Sequence, residues 1–504
     1  MDDRPCSSIL AGGPEIGTQP LVTSYAKPYK TLPEQVALLR HRGMTINDEA
    51  AATAQLLAIG YYRLSGYCYT FREHAVPCAT TCNCPRRSDN FVPGASLEKV
   101  VELYEFDRML RLLVLDGIER VEVALRMRLG YVVGAGGAFA HLDPVALDPA
   151  FTRFDGDRPL ASGPHWLNSE HAKWLSKVTS EADRSKEDFV AHFKAKYGMP
   201  LPIWVVTELL TFGSLVTLIG GLKPRHRSLI AETFGIFDPD CDGDGAALAS
   251  WMSNLNYIRN VCAHHGRLWN RNIAVQLGRL DTAPELIHAS GPRPKSRVYA
   301  SLALLAFLTA RIDTASTWRS RVIDLVTGEF ADLGLPVGQM GFPSGWQNEG
   351  IWAAGYLPPA DPVDPEHREV LRHFECVGTA AAGICLDVSS EAKRRSSAVR
   401  FLRSRNQLLG LPVGKSRRFP TFQFDTDPGG LHPEVGRINS ALEAEKRPWD
   451  AARWWINANP GVDGAVPMTL LGSSGDRVRL LAATITVDDE AGTRRMRVDE
   501  LPQP

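Results

Sequence analysis

The sequence predicts an all-α protein, because its longest regular patterns repeat at the period of a helix. Apolar residues recur at about every 3.6 positions from Ser96 to Leu129, with charges on the other face. A continuous apolar helix is predicted over Arg297–Ala315, and another over Asn254–Arg271, which carries most of the residues suited to chemistry. Shorter helices are predicted over three further segments: Glu34–His41, Asp48–Gly60 and Lys173–Tyr197.

Length and composition are those of a globular protein with several domains. A chain of 504 residues is expected to form two or three domains of ~100–200 residues each. Its 44% hydrophobic and 22% charged residues are typical of soluble proteins. The net charge of −1 excludes a general nucleic-acid coat, so any surface that binds nucleic acid must be local.

Cysteine usage and hydropathy predict a cytoplasmic protein that does not enter a membrane. The nine cysteines are odd in number and scattered, and no apolar signal segment opens the sequence. No window approaches the ~18 consecutive apolar residues of a membrane-spanning helix. Cys68, Cys78, Cys82 and Cys84 cluster, but their C-x3-C-x-C run is tighter than a standard zinc knuckle. A plain loop is favoured over zinc there, and no metal or cofactor is predicted.

The segment Asn254–Arg271, N-L-N-Y-I-R-N-V-C-A-H-H-G-R-L-W-N-R, sets polar residues on a helix that otherwise looks buried. Four of them share one stripe at i, i+4, i+7 and i+11 if the helix is continuous: Asn260, His264, Arg267 and Arg271. Gly266 loosens that helix, which affects the last two members. Arg259 lies about 140° from His264 around an ideal helix, and only its length brings it back to the same place.

These residue types suit the cleavage of RNA. A histidine exchanges protons near neutral pH, and an arginine is a permanent cation whose fork matches phosphate oxygens. The segment holds no carboxylate cluster, so the pair favours a phosphodiester with its own nucleophile, the 2′-OH of RNA. His264 is the predicted acid and base, Arg259 stabilises the phosphate charge and Asn260 orients them. Three more residues are predicted to hold RNA: His265, Arg267 and Arg271. The structural alternative is a helix end whose basic residues cap carbonyls around a core histidine.

Other arginines are candidates for the same surface. Arg63 lies in the aromatic run Tyr61–Tyr67, which suits base stacking or, equally, a packing corner between helices. The helix over Ser96–Leu129 carries charges that ordinarily form a solvated face. Three of its arginines are candidate RNA-facing residues: Arg108, Arg111 and Arg126.

The motifs in this part of the chain resemble two known families. Arg259-Asn260-x3-His264 resembles the R-polar-x3-H motif of HEPN-domain ribonucleases. The phrases R-N-x-C-A-H-H-x-R-L-W-N-R, Y-x-R-L-S-G-Y and Y-x-F-D-R-x-L-R resemble the AbiD/AbiF-like (Abi_2) family of anti-phage abortive-infection proteins. The resemblance covers about residues 25–355, after a predicted disordered tail over residues 1–24.

This resemblance implies a HEPN-type all-α domain, a homodimer that brings two R-x4-H motifs together, and metal-independent cleavage of RNA without a cofactor. AbiF-like proteins also associate with small non-coding RNA. The alternative is therefore a module that binds a structured RNA and does not cut it.

The remainder of the chain differs in amino-acid composition. Residues 356–384 are rich in Pro and Asp at their start and are predicted as a linker. Residues 385–504 are predicted as a smaller, mainly α C-terminal domain, whose series F-P-x-F-Q-F…W…P-x-x-L-L resembles the toxin-binding domain of Xre/MbcA/ParS-type antitoxins. A short basic segment stands where some members carry a DNA-reading helix-turn-helix. The resemblance implies a toxin- or antitoxin-type protein partner, or DNA, and a fusion that restrains the RNase. The alternative is a small α domain whose arginines face water.

Overall fold

A computed structural model describes residues 28–74, 87–154, 169–386, 391–425 and 430–471. The predicted tail over residues 1–24, and three members of the cysteine cluster, Cys78, Cys82 and Cys84, lie outside these residues. The chain forms two compact units, residues 1–106 and 107–504. The domain boundaries drawn from the sequence stay a prediction.

The first unit contains three short helices, a two-stranded sheet and the start of a long helix. Its elements are α1 (Leu32–His41), α2 (Glu49–Ile59), α3 (Tyr61–Cys68), β1 (Arg72–His74), β2 (Arg87–Phe91) and the first turns of α4 (Leu97–Gly134). Asp48 caps α2, because its carboxylate accepts hydrogen bonds from the N–H groups of Ala50 and Ala51. The aromatic run proves to be helix α3, in which buried Tyr67 packs edge-on against Tyr104 with ring centroids 5.4 Å apart.

The second unit continues α4 and adds sixteen helices among the residues the structure describes. They are α5 (Pro149–Thr152), α6 (Glu170–Arg184), α7 (Asp188–Tyr197), α8 (Ile203–Leu209), α9 (Phe212–Gly221), α10 (Pro224–Thr233), α11 (Gly245–Ala263), α12 (Pro292–Lys295), α13 (Val298–Ile312), α14 (Trp318–Thr327), α15 (Glu329–Asp332), α16 (Pro365–Arg372), α17 (Thr379–Cys385), α18 (Ala392–Ser404), α19 (Pro433–Ala441) and α20 (Pro448–Ile456). Three short strands, β3 (Cys376–Val377), β4 (Leu411–Val413) and β5 (Ser416–Pro420), form an antiparallel sheet in the order β3-β5-β4. The predicted all-α class is confirmed, with two small sheets added.

Helix α13 forms the centre of the core that supports α11. Every residue from Val298 to Ala310 is buried. On the side facing α11, Trp251 meets Phe307 edge-on at 5.6 Å between ring centroids. A buried polar link joins the same two helices, because the Ser301 hydroxyl donates to Asn254 Oδ1 at 2.9 Å. These contacts hold α11 against the core and leave its C-terminal end at the surface.

The stretch predicted as a linker, residues 356–384, contains α16, β3 and most of α17. Arg368 of α16 is buried and joins this stretch to the loop before α11. Its guanidinium lies 2.6 Å from Asp361 and 3.3 Å from Glu232, and it donates to the carbonyl of Cys241 at 3.2 Å. The C-terminal region is therefore held to the rest of the unit by a buried charge network. In the described ranges, no helix is both long and apolar enough to cross a membrane.

We expect Arg368→Ala to lower the free energy of unfolding by about 3–5 kcal/mol, because it leaves buried carboxylates without their cation. Urea unfolding of the purified protein measures this loss. Arg372→Ala is the matched control: this neighbour is 43% exposed and should cost less than about 1 kcal/mol. An equal, small loss in both variants would contradict the buried network.

Candidate functional site

Helix α11 carries the first half of the predicted motif and is firmly capped at its start. The Asp244 carboxylate accepts hydrogen bonds from the N–H groups of Ala246 and Ala247 and pairs with Arg279 at 2.7 Å. One face of the helix is buried through Trp251, Leu255, Ile258 and Cys262, which fixes its rotation. Arg259 and Asn260 therefore lie in the last turns of a helix that cannot easily rotate.

The helix ends at Ala263, one residue before the motif histidine. His265 adopts the left-handed conformation with φ of 57°, its N–H donates to the carbonyl of Cys262, and the N–H of Gly266 donates to the carbonyl of Val261. This is the Schellman arrangement, in which the left-handed position is usually a glycine. Asn260 and His264 stay one turn apart, but Arg267 and Arg271 leave the predicted stripe. The continuous helix considered for Asn254–Arg271 is therefore wrong beyond Ala263.

The chain after this turn is anchored by Asp107, a fully buried residue of α4. Its carboxylate accepts hydrogen bonds from the N–H groups of Leu268 at 3.1 Å and Trp269 at 2.7 Å. Arg111, one turn further along α4, donates to the same carboxylate at 2.5 Å. Because Arg111 is itself buried, it lies inside the protein and not on the RNA-facing surface predicted for it. The sequence reasoning missed Asp107, whose signal was an Asp and an Arg spaced i, i+4 within an apolar helix.

The same carboxylate influences Cys262 on α11. Burial, and then the negative charge of Asp107, raise the pKa of the Cys262 thiol to about 12. The thiol is therefore neutral at physiological pH and serves as a packing group and not as a nucleophile.

The three residues predicted to be catalytic all have side chains that make no hydrogen bond or ion pair with the described part of the protein. Asn260 and His264 are exposed, and Arg259 is half-buried. The three residues predicted to hold RNA differ, since His265 and Arg267 already have partners and Arg271 Nε donates to the Tyr257 hydroxyl at 3.1 Å. A side chain without a protein partner can meet a substrate with all of its polar atoms, whereas a partnered arginine offers only its remaining N–H groups.

A cluster of positive charge includes Arg267, and its other two members, Arg293 and Arg297, were not found from the sequence. Burial, and then the charges of Arg293 and Arg267, lower the pKa of Arg297. Arg297 donates to Asn272 Oδ1 at 2.9 Å, and Arg293 donates to the carbonyl of Gly338 at 3.0 Å. The three like charges would repel one another less with an anion between them. The run G-P-R-P-K-S-R at residues 291–297 was the available signal.

The remaining predicted RNA-facing arginines have other surroundings. Arg126 donates to the carbonyls of Thr207 and Glu208 and pairs with Glu122, so it caps the end of α8. Arg108 and Arg63 are exposed, and each already has a partner. Arg63 belongs to the first unit. Their role in RNA binding stays a prediction.

Cys68 is the one member of the cysteine cluster that the structure describes. Cys68 is buried, and burial raises the pKa of its thiol to about 12. Over the residues with described positions, no group of three or more His, Cys, Asp or Glu side chains is placed to hold a metal ion.

Comparison with known proteins finds a family match for one stretch of the chain. Residues 54–270 match the family model described as Abi-like protein. The matched stretch runs from within α2 to the loop after His264 and includes Asp107 and the whole R-x4-H motif. This match supports the Abi family for that part of the chain. No curated protein and no solved structure gives a significant match.

We expect Asp107→Ala to lower the free energy of unfolding by about 3–5 kcal/mol, because Arg111 and two backbone N–H groups lose a buried partner. The loop after His264 should also become more accessible to protease before global unfolding. Urea unfolding and limited proteolysis measure the two effects. Asp116→Ala on the same helix removes a 31% exposed carboxylate and should cost less than about 1 kcal/mol. Equal stability of the two variants would contradict the anchoring role of Asp107.

Proposed function

We propose that this protein is a metal-independent endoribonuclease of abortive-infection defence that cuts RNA by attack of the 2′-OH on the adjacent phosphorus. The observation that carries the proposal is the state of Arg259, Asn260 and His264. They are grouped at the surface end of α11 and lack protein partners in the described part of the chain. The helix that holds them is fixed at its start by Asp244 and beyond its end by Asp107.

The chemistry follows from these groups. The neutral imidazole of His264 takes the proton from the 2′-OH as the O2′–P bond forms. Arg259 stabilises the negative charge that grows on the phosphoryl oxygens. The P–O5′ bond breaks, and the 5′ oxygen leaves with a proton from a second acid. In the homodimer that the family resemblance implies, the second His264 supplies it. The products are a 2′,3′-cyclic phosphate and a 5′-OH.

The neighbouring residues supply binding. Asn260 is one helical turn from His264 and orients the phosphate between them. The cluster of Arg267, Arg293 and Arg297 holds phosphates on one side of the cut. Local positive charge of this kind raises the concentration of RNA at the site despite the near-zero net charge of the chain.

The described part of the C-terminal region contacts the start of α11 and not the motif at its other end. Its described contacts with the rest of the unit include α10 and the loop before α11, the latter through Arg418 with Asp242 at 2.5 Å and Ser416 with Asp240 at 2.8 Å. The motif lies at the other end of a 19-residue helix, ~28 Å away. A restraint by the described part of this region, as in a toxin–antitoxin-type fusion, would act through α11 and would not cover His264.

We expect His264→Ala to reduce RNA cleavage by at least about 10²-fold, because the chemistry loses its acid and base. Wild type and variant are incubated with mixed RNA in EDTA, and the product ends are read. His192→Ala removes an exposed histidine on α7 and should cleave like wild type. Cleavage that persists in His264→Ala would contradict the proposal. Cleavage that needs a divalent metal would do so too. A discrete RNA held by both proteins without turnover would favour the binding-module alternative.

We expect Arg267→Ala/Arg293→Ala to weaken RNA binding and to lower the slope of log K against log salt by about 1–2, because up to two phosphate contacts are lost. The measurement is a salt titration of RNA affinity in the His264→Ala background, where RNA stays intact. Arg184→Ala/Lys186→Ala removes the same charge at the end of α6, where both residues are exposed, and should leave the slope unchanged. An equal loss in the control would mean that general charge binds RNA and the cluster does not.

A further inference from the structure

The region from Pro365 to Pro420 has a defined topology that its short, basic sequence did not reveal. The elements follow in the order α16, β3, α17, α18, β4, β5. Strand β5 is central and antiparallel to both neighbours, pairing Val377 with Phe419 on one side and Leu411 with Arg418 on the other. One helix, a strand, two packed helices and a hairpin in this order, with this strand order, form a winged helix-turn-helix.

The two packed helices and the sheet share a core of their own. It consists of Ala382, Leu386, Val399, Leu408 and Phe419. Helices α17 and α18 approach closely at Gly383, where a Cβ atom would lie 2.7 Å from the Cβ of Arg395. This glycine therefore permits the tight helix pair, and the pair holds α18 in a fixed orientation.

The outward face of α18 is basic and polar along its whole length. The helix, A-K-R-R-S-S-A-V-R-F-L-R-S, contains no acidic residue. Its buried side is marked by Val399, and a stripe of exposed residues runs along the opposite side at spacings of four, three and four: Lys393, Ser397, Arg400 and Ser404. Phe401, which is 55% exposed, lies beside this stripe.

The hairpin of β4 and β5 stands next to the same face. Between it and α18 lies a cleft of about 560 Å³ lined by Ser396, Arg400, Arg403, Lys415 and Arg417, among others. Glu445 already pairs with Arg403 at 3.1 Å and with Arg417 at 3.6 Å. Lys393, Arg400 and Lys415 have no acidic partner in the ranges that are described, so their charges are available to an anion.

We propose that this winged helix binds double-stranded DNA, with α18 in the major groove and Lys415 near an adjacent phosphate. A helix with its side chains is ~10–12 Å wide, and the major groove of B-DNA is ~12 Å wide. Basic residues of α18 reach phosphates and guanine edges, and Phe401 suits a thymine methyl group. The deep, narrow major groove of duplex RNA does not admit a helix, which is why the surface is assigned to DNA. Ser416 lies at the tip of the hairpin, beside the Gly414–Lys415 turn, and its hydroxyl donates to Asp240. Because this carboxylate stands close to the turn, most phosphate contact is assigned to α18.

The test measures binding of a mixed-sequence 30-base-pair duplex to the full-length His264→Ala protein by fluorescence anisotropy across a salt series. We expect Lys393→Ala/Arg400→Ala to weaken binding at least 10-fold and to lower the salt slope by about 2. Arg184→Ala/Lys186→Ala carries the same loss of charge at the end of α6 and just after it, and should bind within about two-fold of its parent. Thermal unfolding of each variant confirms that the comparison is between folded proteins.

Three outcomes would overturn the assignment. One is no binding of duplex DNA by the parent protein at 50 mM salt, about the low end of the range in which such contacts are measured. A second is an equal loss of affinity in the control. The third is duplex RNA of the same sequence competing as well as the DNA. DNA binding is measured in a protein without His264, so its result does not depend on RNA cleavage. Absence of DNA binding would not count against the proposed RNase, and absence of RNA cleavage would not count against DNA binding.

Discussion

The buried carboxylate of Asp107 is the interaction on which the candidate site depends most. A fully buried charge is tolerated only where it is paired and hydrogen-bonded, and Asp107 has Arg111 on one side and two backbone N–H groups on the other. Those N–H groups belong to Leu268 and Trp269, a few residues after His264. The carboxylate thus ties the segment after the motif to α4 and fixes where the motif helix must stop.

The end of α11 has an unusual residue at its left-handed position. His265 holds a left-handed position that glycine would fill at lower conformational cost. The Schellman bonds and the Asp107 anchor together over-determine this turn, so the strain of one non-glycine residue is tolerated. The result is that Asn260 and His264 stand at a rigid end with their side chains outward, while the following arginines turn toward other partners. Rigid placement of this kind suits the proposed transfer of a proton from the 2′-OH of RNA to His264.

Helices that are buried on one side or on all sides could be predicted from the sequence. Helix ends, buried charges and short strands could not, because contacts between residues distant in sequence determine them. Helix α13 was found because an unbroken apolar run has few other uses, and α4 was found from its apolar stripe. The end of α4 was placed too early, since Gly130 and Gly134 argue against helix. They are tolerated because Trp204 packs directly on them, 3.3 Å from where their Cβ atoms would be. Arg111 looked like its exposed neighbours because periodicity cannot show which charge meets a buried carboxylate. The strands of the winged helix are two to five residues long, too short for an alternating pattern, and β3 pairs with β5, which is distant in sequence.

The loop before α11 connects the two regions to which nucleic-acid binding is assigned. Within it, Asp242 binds Arg418 of strand β5, the Cys241 carbonyl binds Arg368 of α16, and Asp244 begins α11, while Glu232 of the preceding helix α10 also binds Arg368. A helix transmits displacement along its axis because its backbone hydrogen bonds keep its length fixed. Any shift of the winged helix must therefore move either this loop or the salt bridges that hold it, and both lie at the start of the helix whose far end carries His264. The charge network around Arg368 and Arg418 is consequently the described contact that joins the proposed DNA-binding region to the start of α11.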